Sequence, residues 1–164
     1  MAELSSMSAR EHGITEHSVQ AILAEALSSF PEPPLPEGLL APDDQAVFSQ
    51  ASLTGIWNVT VTMRVPVPLA SALTSALFAI PAAEISAAER ADVVAELCNV
   101  VGGNLKGLIQ GGVTLSLPIA LEGDAEAMIR ETAWRTGAVA VDFIYPFLGQ
   151  LIAVQIIEHE DVAP

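Results

Sequence analysis

Positive charge is scarce in this chain: six Lys and Arg stand against twenty Asp and Glu, for a formal charge of −14. Such a balance removes the electrostatic attraction on which nucleic-acid binding rests, because too few cations exist to displace phosphate counterions. DNA and RNA are therefore not expected partners. An anionic membrane surface is disfavoured for the same reason, since no basic cluster exists to meet it. Cysteine is scarcer still. Cys98 stands alone and cannot close an internal disulfide, so nothing requires an oxidising compartment. The stretch MAELSSMSAREHGITEHS has no apolar segment of the kind a secretory signal needs, and a cytoplasmic location is expected. Long apolar runs are also few. The longest uncharged one, over 65–83, has about the length of a bilayer span, but Pro66, Pro68 and Pro81 break it near both ends. It is expected to be a strand end followed by a buried helix, without membrane insertion.

Hydrophobic residues make up 51% of the chain, enough for one domain with a real core. Val19, Ile22, Leu23, Ala26, Leu27 and Phe30 recur at helical spacing, with Thr15 as a candidate N-cap, which predicts a helix over 15–30. The Pro-rich run that follows, over 31–43, forbids regular hydrogen bonding and predicts an extended linker or loop. Next, Val59, Val61, Met63 and Val65 alternate with Thr60, Thr62 and Arg64, the period of a half-buried strand, and Thr54 with Gly55 is expected to turn a hairpin. PLASALTSALFAI predicts a short apolar helix opening near Pro68 and ending by Pro81. A longer helix is expected from Ser86, which stands at capping-box spacing from Glu89, to about Gln110, where Gly111 and Gly112 stop it. GVTLSLPIAL, TGAVAVDFIY and GQLIAVQII are rich in β-branched residues and predict strands, while GDAEAMIRETAWR is expected to form an exposed loop or one or two helical turns. The expected organisation is a tail and amphipathic helix over 1–30, the linker, a core domain over 44–158 and a tail over 159–164.

At about 100° per residue, Val94, Leu97, Val101, Leu105 and Leu108 fall in one stripe of the long helix, and Asp92, Glu96, Asn99, Gly103, Lys106 and Gln110 fall opposite. Glu96 and Asn99 thus sit side by side on an outer face, at the i, i+3 spacing that lets two side chains act together. Gly103 lies one turn on and leaves the face flat. A helical glycine costs about 1 kcal/mol relative to alanine, and Gly102, Gly103 and Gly107 accumulate that cost. Close approach by another backbone is the usual compensation. The Glu-x-x-Asn spacing is weak by itself, since a chain of this composition contains roughly a quarter of a match by chance.

The segment AELCNVVGGNLKGLIQGGVTLSLPIALEG as a whole resembles the CheC, CheX and FliY group of chemotaxis phosphatases, closest to the single-motif CheX-like domains. In that resemblance Glu96 and Asn99 match the active-site pair, Gly103 and Asn104 match a Gly-Asn pair, and LSLP over 115–118 matches the strand that follows. The similarity in element order covers roughly 44–158. It implies an α+β fold: an antiparallel sheet of about six strands with packed helices in a pseudo-two-fold arrangement. It also implies a substrate, the aspartyl phosphate of a CheY-type response regulator. Asn99 would position the attacking water, Glu96 would pair with the regulator's active-site lysine, and Gly103 would give binding clearance. Asn104, toward the rim of the apolar stripe, would be structural. The resemblance assigns the chain no cofactor of its own and leaves Mg²⁺ on the regulator. It further implies a homodimer paired through sheet edges.

Other chemistries are less supported. His12 and His17 are five apart in a stretch expected to be mobile, and His159 has no neighbour at metal-ligand spacing. Cys98 rotates toward the core and is expected to be an inert thiol. The helical glycines do not form a phosphate loop, and Trp57 and Trp134 are expected to pack in or beside the sheet. Two classes of function remain: an aspartyl-phosphate phosphatase, or a CheX-like module that binds a regulator or dimerises without turnover.

Overall fold

In the computed structural model, which describes residues 8–36, 45–123 and 137–159, the alternating run VTVTMRV is a strand, as its period requires. Among the described residues the elements follow in the order α1 (Glu16–Ser28), β1 (Ala46–Gly55), β2 (Val59–Pro66), α2 (Val67–Phe78), a 3₁₀ turn (Ala82–Glu84), α3 (Ala87–Leu108), β3 (Val113–Leu115), β4 (Ile119–Gly123), β5 (Gly137–Phe147) and β6 (Gln150–His159). The fold is α+β, with three helices and a six-stranded antiparallel sheet. Its strand order is β3-β1-β2-β6-β5, and β4 also pairs with β1.

Every second residue of the central strands points to one face. Val47, Ala51 and Leu53 of β1, Val59, Val61, Met63 and Val65 of β2, and Ile152, Val154 and Ile156 of β6 are all buried there. All three helices add side chains to this core. Val19, Leu23 and Leu27 of α1 join the same cluster as Leu69 and Leu73 of α2 and Leu97 of α3, so the helix placed ahead of the 44–158 core shares its interior. On the other face Thr60 and Thr62 are buried too, because β2 is central and β1 and β6 flank them. Thr60 Oγ1 lies 2.7 Å from His159 Nε2, which satisfies that hydroxyl.

Local signals set the element ends. Thr15 caps α1 through a reciprocal pair of bonds with Ser18. The β5–β6 loop is the two residues Leu148 and Gly149, both at positive φ (49° and 75°), the backbone twist that a tight hairpin requires. Three expectations need correction. Thr54 and Gly55 are the last residues of β1, paired to Thr114 and Val113, and residues 56–58 make the turn. The run GVTLSLPIAL is two strands along one edge of β1. Leu53 faces Leu115 and Gln50 faces Ile119, so the register slips by one residue where Pro118 withholds a donor. The apolar helix α2 is not buried along its whole length: its buried residues lie between Leu69 and Thr74, and Leu77 and Phe78 in its last turn are exposed. GDAEAMIRETAWR from residue 124 on, residues 37–44 and those after 159 lie outside the described residues.

Helix α2 ends on Ala79, an exposed alanine in the left-handed region at φ 55°, ψ 39°. A Cβ is penalised there and glycine is not. Ala79→Gly should therefore raise the unfolding free energy by about 0.5–1 kcal/mol. Urea denaturation checks this, and an unchanged or lowered midpoint would contradict the strained cap.

Candidate functional site

Helix α3 is fixed at its start by a full capping box: the Ser86 hydroxyl accepts from the Glu89 amide, and the Glu89 carboxylate accepts from the Ser86 amide at 2.8 Å. Those bonds from Ser86 hold the Glu89 carboxyl below its ordinary range. One residue on, Arg90 forks onto Glu122 of β4, with Nε to Oε2 at 2.6 Å and Nη2 to Oε1 at 2.7 Å, while its Nη1 donates to the Ile85 carbonyl. This bidentate clamp ties the first turn of the helix to the sheet edge. Beyond it, Val94, Leu97, Val101 and Leu105 are buried as the stripe predicts. Leu108 is not: it is 44% exposed. The backbone leaves helical angles at Ile109 (φ −83°, ψ 118°), whose side chain turns inward and is buried in its place.

On the opposite face Asp92, Glu96, Gly103 and Lys106 are exposed and Asn99 is half-buried. Among the described residues no group bonds to the Glu96 carboxylate or the Asn99 carboxamide. The second asparagine differs. Asn104 is exposed, and its Nδ2 donates to the Val100 carbonyl at 2.8 Å, so it is engaged within its own helix.

The helical glycines divide in a way the sequence does not reveal. A Cβ on Gly102 would lie 2.9 Å from Leu115 Cδ1, so this buried glycine admits β3 against the helix. A Cβ on Gly103 or Gly107 would meet nothing within 4 Å. Their cost has no return inside the described fold. Gly103, the residue expected to provide clearance, is thus an open notch beside Asn99.

Elsewhere, Cys98 is fully buried near Val61 and Ser49, and burial pushes its thiol up to about 11, so it is protonated at neutral pH and no nucleophile. The stretch expected to be mobile around His12 is instead packed: the His12 ring rests on Trp57 at 5.1 Å between centroids, and Ile14 is buried. Trp57 Nε1 and the Ala9 amide both donate to Glu158 Oε1, which fastens the segment before α1 to the end of β6. Trp134 lies outside the described residues. Among the described residues no three His, Cys, Asp or Glu gather as metal ligands, and no helix is long and apolar enough to cross a membrane.

Fold and site together define a class: an α+β domain that presents a Glu-x-x-Asn pair, unbonded among the described residues, on the outer face of a helix whose inner face lies on an antiparallel sheet. The family model of the chemotaxis phosphatase CheX matches residues 47–143, and the chain belongs to that family. No curated protein sequence matches. Among solved structures, chemotaxis protein CheX from Vibrio vulnificus is similar over 96% of this chain and 97% of its own, with 16% identity and a TM-score of 0.64. A CheC-like superfamily protein from Shewanella sp. PV-4 is also 16% identical, over 88% of this chain and 96% of its own, with a TM-score of 0.64. CheX from Borrelia burgdorferi, solved as a CheX-CheY-BeF3-Mg²⁺ complex, matches over 90% of this chain and 99% of its own, at 16% identity and a TM-score of 0.59. Identities this low establish a shared fold.

The split among the glycines has a measurable consequence. Gly103→Ala should stabilise the protein by up to about 1 kcal/mol, because helix propensity improves and no atom is displaced. Gly102→Ala should gain less, since Leu115 must move. Denaturant midpoints of the two variants decide it; a destabilised Gly103→Ala would show that its clearance serves the fold itself.

Proposed function

We propose that the protein hydrolyses the aspartyl phosphate of a CheY-type response regulator in the cytoplasm, with Asn99 and Glu96 as the residues that enter the regulator's site. One observation carries the reading: the pair stands on an outer helix face, unbonded among the described residues, beside a glycine with open space around it. Membership of the CheX phosphatase family supports the reaction class. The Borrelia neighbour, a complex with CheY, BeF3 and Mg²⁺, supports the partner and a Mg²⁺ held on the partner's side.

An acyl phosphate is already activated, so its hydrolysis depends on placing a nucleophile in line and stabilising the charge of the phosphoryl oxygens. The regulator's own lysine and Mg²⁺ supply the second requirement. Asn99 supplies the first. Its carboxamide oxygen accepts a hydrogen bond from water and its amino group donates one, which fixes the water oxygen toward phosphorus. Water forms the new P–O bond as the bond to the aspartyl oxygen breaks, leaving inorganic phosphate and a free carboxylate. Glu96, on the adjacent turn, accepts from the regulator's lysine and fixes the register of docking.

Asn99→Ala should leave folding within about 0.5 kcal/mol of the parent and lower the rate of phosphate loss on the order of 100-fold, with binding retained. Glu96→Ala should weaken binding as well. The assay is phosphate release from CheY-type receiver domains phosphorylated with acetyl phosphate. If both variants match the parent rate, the chain is a binding module and the catalytic assignment is wrong.

We also propose a homodimer. Among the described strands β5 is an edge, and Val139 and Ile144 stand exposed on it near exposed Leu151 of β6. An apolar edge strand of that length is a template for pairing across a two-fold axis. Sedimentation at tens of micromolar, on the order of typical self-association constants, should show a dimer. A monomer throughout that range would count against sheet pairing.

A further inference from the structure

Lys106 is the only lysine in the chain. It lies seven residues after Asn99 on α3, so it stands about 10 Å further along the axis and within about 20° of the same line. It is exposed, and no carboxylate among the described residues pairs with it. Asp92 occupies the mirrored position, seven residues before Asn99 and likewise exposed. The face is therefore ordered along its length, with an acid at one end, the Glu96 and Asn99 pair in the middle and a cation at the other end. The other described cations are elsewhere. Arg90 is clamped by Glu122, Arg64 lies over the Phe48 ring on the far side of the sheet, and Arg10 precedes α1.

A position in the last turn of a helix already favours a cation, by complementing the helix dipole. That alone would not need the line of the catalytic pair. The partner's chemistry gives a reason for it. A site that holds Mg²⁺ beside an aspartyl phosphate is built from carboxylates and has an anionic rim. A chain of net charge −14 repels such a rim unless it offers a local cation.

We propose that Lys106 is a docking residue for the anionic rim of the phosphorylated receiver, and that Asp92 and Lys106 together orient that rim toward the C-terminal end of α3. The inference rests on the phosphatase reading above. Gly103 and Gly107 flank Lys106 with no atom near their absent Cβ positions, so a second protein can reach the ammonium group without displacing a side chain there.

The test measures phosphate release from acetyl-phosphate-treated CheY-type receiver domains by the parent, Lys106→Gln, Lys106→Glu, Lys106→Arg and Asn99→Ala, between about 20 mM and about 500 mM salt. Lys106→Gln should lower kcat/KM about two- to fivefold at low salt, through KM with kcat unchanged. Lys106→Glu should lower it further, and Lys106→Arg should restore it. The differences should vanish at high salt, where screening is short-ranged. If Asn99→Ala loses turnover while Lys106→Gln and Lys106→Glu keep the parent's KM and salt dependence, docking through Lys106 is overturned and the lysine only complements the helix end. A fall in kcat at constant KM also overturns it. If Asn99→Ala turns over normally, the phosphatase reading and the docking role fail together.

Discussion

The burial of one stripe of α3 against the sheet is what the rest of this molecule depends on. Val94, Leu97, Val101 and Leu105 each contribute about 1.5–3 kcal/mol by leaving water, and together they set the rotation of the helix. A turn of one residue, about 100°, would carry the Glu96 carboxylate inward to where Leu97 now packs, with no partner. Burying an unpaired carboxylate is costly enough that this alternative is not populated. The outward aim of Glu96 and Asn99 thus follows from apolar packing on the far side of the same helix. Secondary restraints act at the helix start. The Ser86 and Glu89 cap and the Arg90 fork onto Glu122 hold the first turn, so the stripe need not resist fraying alone.

The glycines show where the demands of the described fold end. Gly102 is required internally, because β3 presses Leu115 to within 2.9 Å of where its Cβ would be. That approach depends on the break between β3 and β4. Ser116 donates to the Ser52 carbonyl at 2.8 Å and its hydroxyl accepts from the Ser52 amide at 2.9 Å, which holds β3 in register just before the slip. Gly103 stands next in sequence, yet it faces outward and nothing in the described fold needs it small. Two adjacent glycines therefore stand differently: the sheet requires one to be small, and nothing in the described fold requires it of the other.

Much of this was legible from the sequence, and the reasons differ by element. The faces of α3 follow from a 3.6-residue period over 22 residues, long enough for the pattern to fix the rotation. The caps at Thr15 and Ser86 are local chemistry and were readable as such. Leu108 was misplaced because periodicity has no knowledge of where a helix ends; Ile109 leaves the helix and takes over the burial. The turn after β1 was misplaced because Thr54 and Gly55 look like turn formers locally, while their pairing to β3, some sixty residues later, keeps them in the strand. The Arg90–Glu122 clamp and the docking of His12 on Trp57 were invisible for the same reason: each joins residues far apart in sequence with no local signature. Nor could the glycines be sorted, since that requires knowing which side of the helix β3 occupies.

The different exposure of Asn99 and Glu96 fits the different tasks proposed for them. A group that positions water in a transition state gains from restricted motion, because misplacement of about 1 Å can cost on the order of 100-fold in rate. Asn99 is half-buried, so part of its rotamer freedom is already lost before any partner arrives. Glu96 is exposed and longer. A contact to a lysine on another protein tolerates, and benefits from, a side chain that can reach and adjust. Had both been fully exposed, binding would have to order both; had both been buried, neither could enter a second protein's site. The packing of one helix gives the short amide the sheltered position and the long carboxylate the open one, and this division follows from a three-residue spacing read against a fixed rotation.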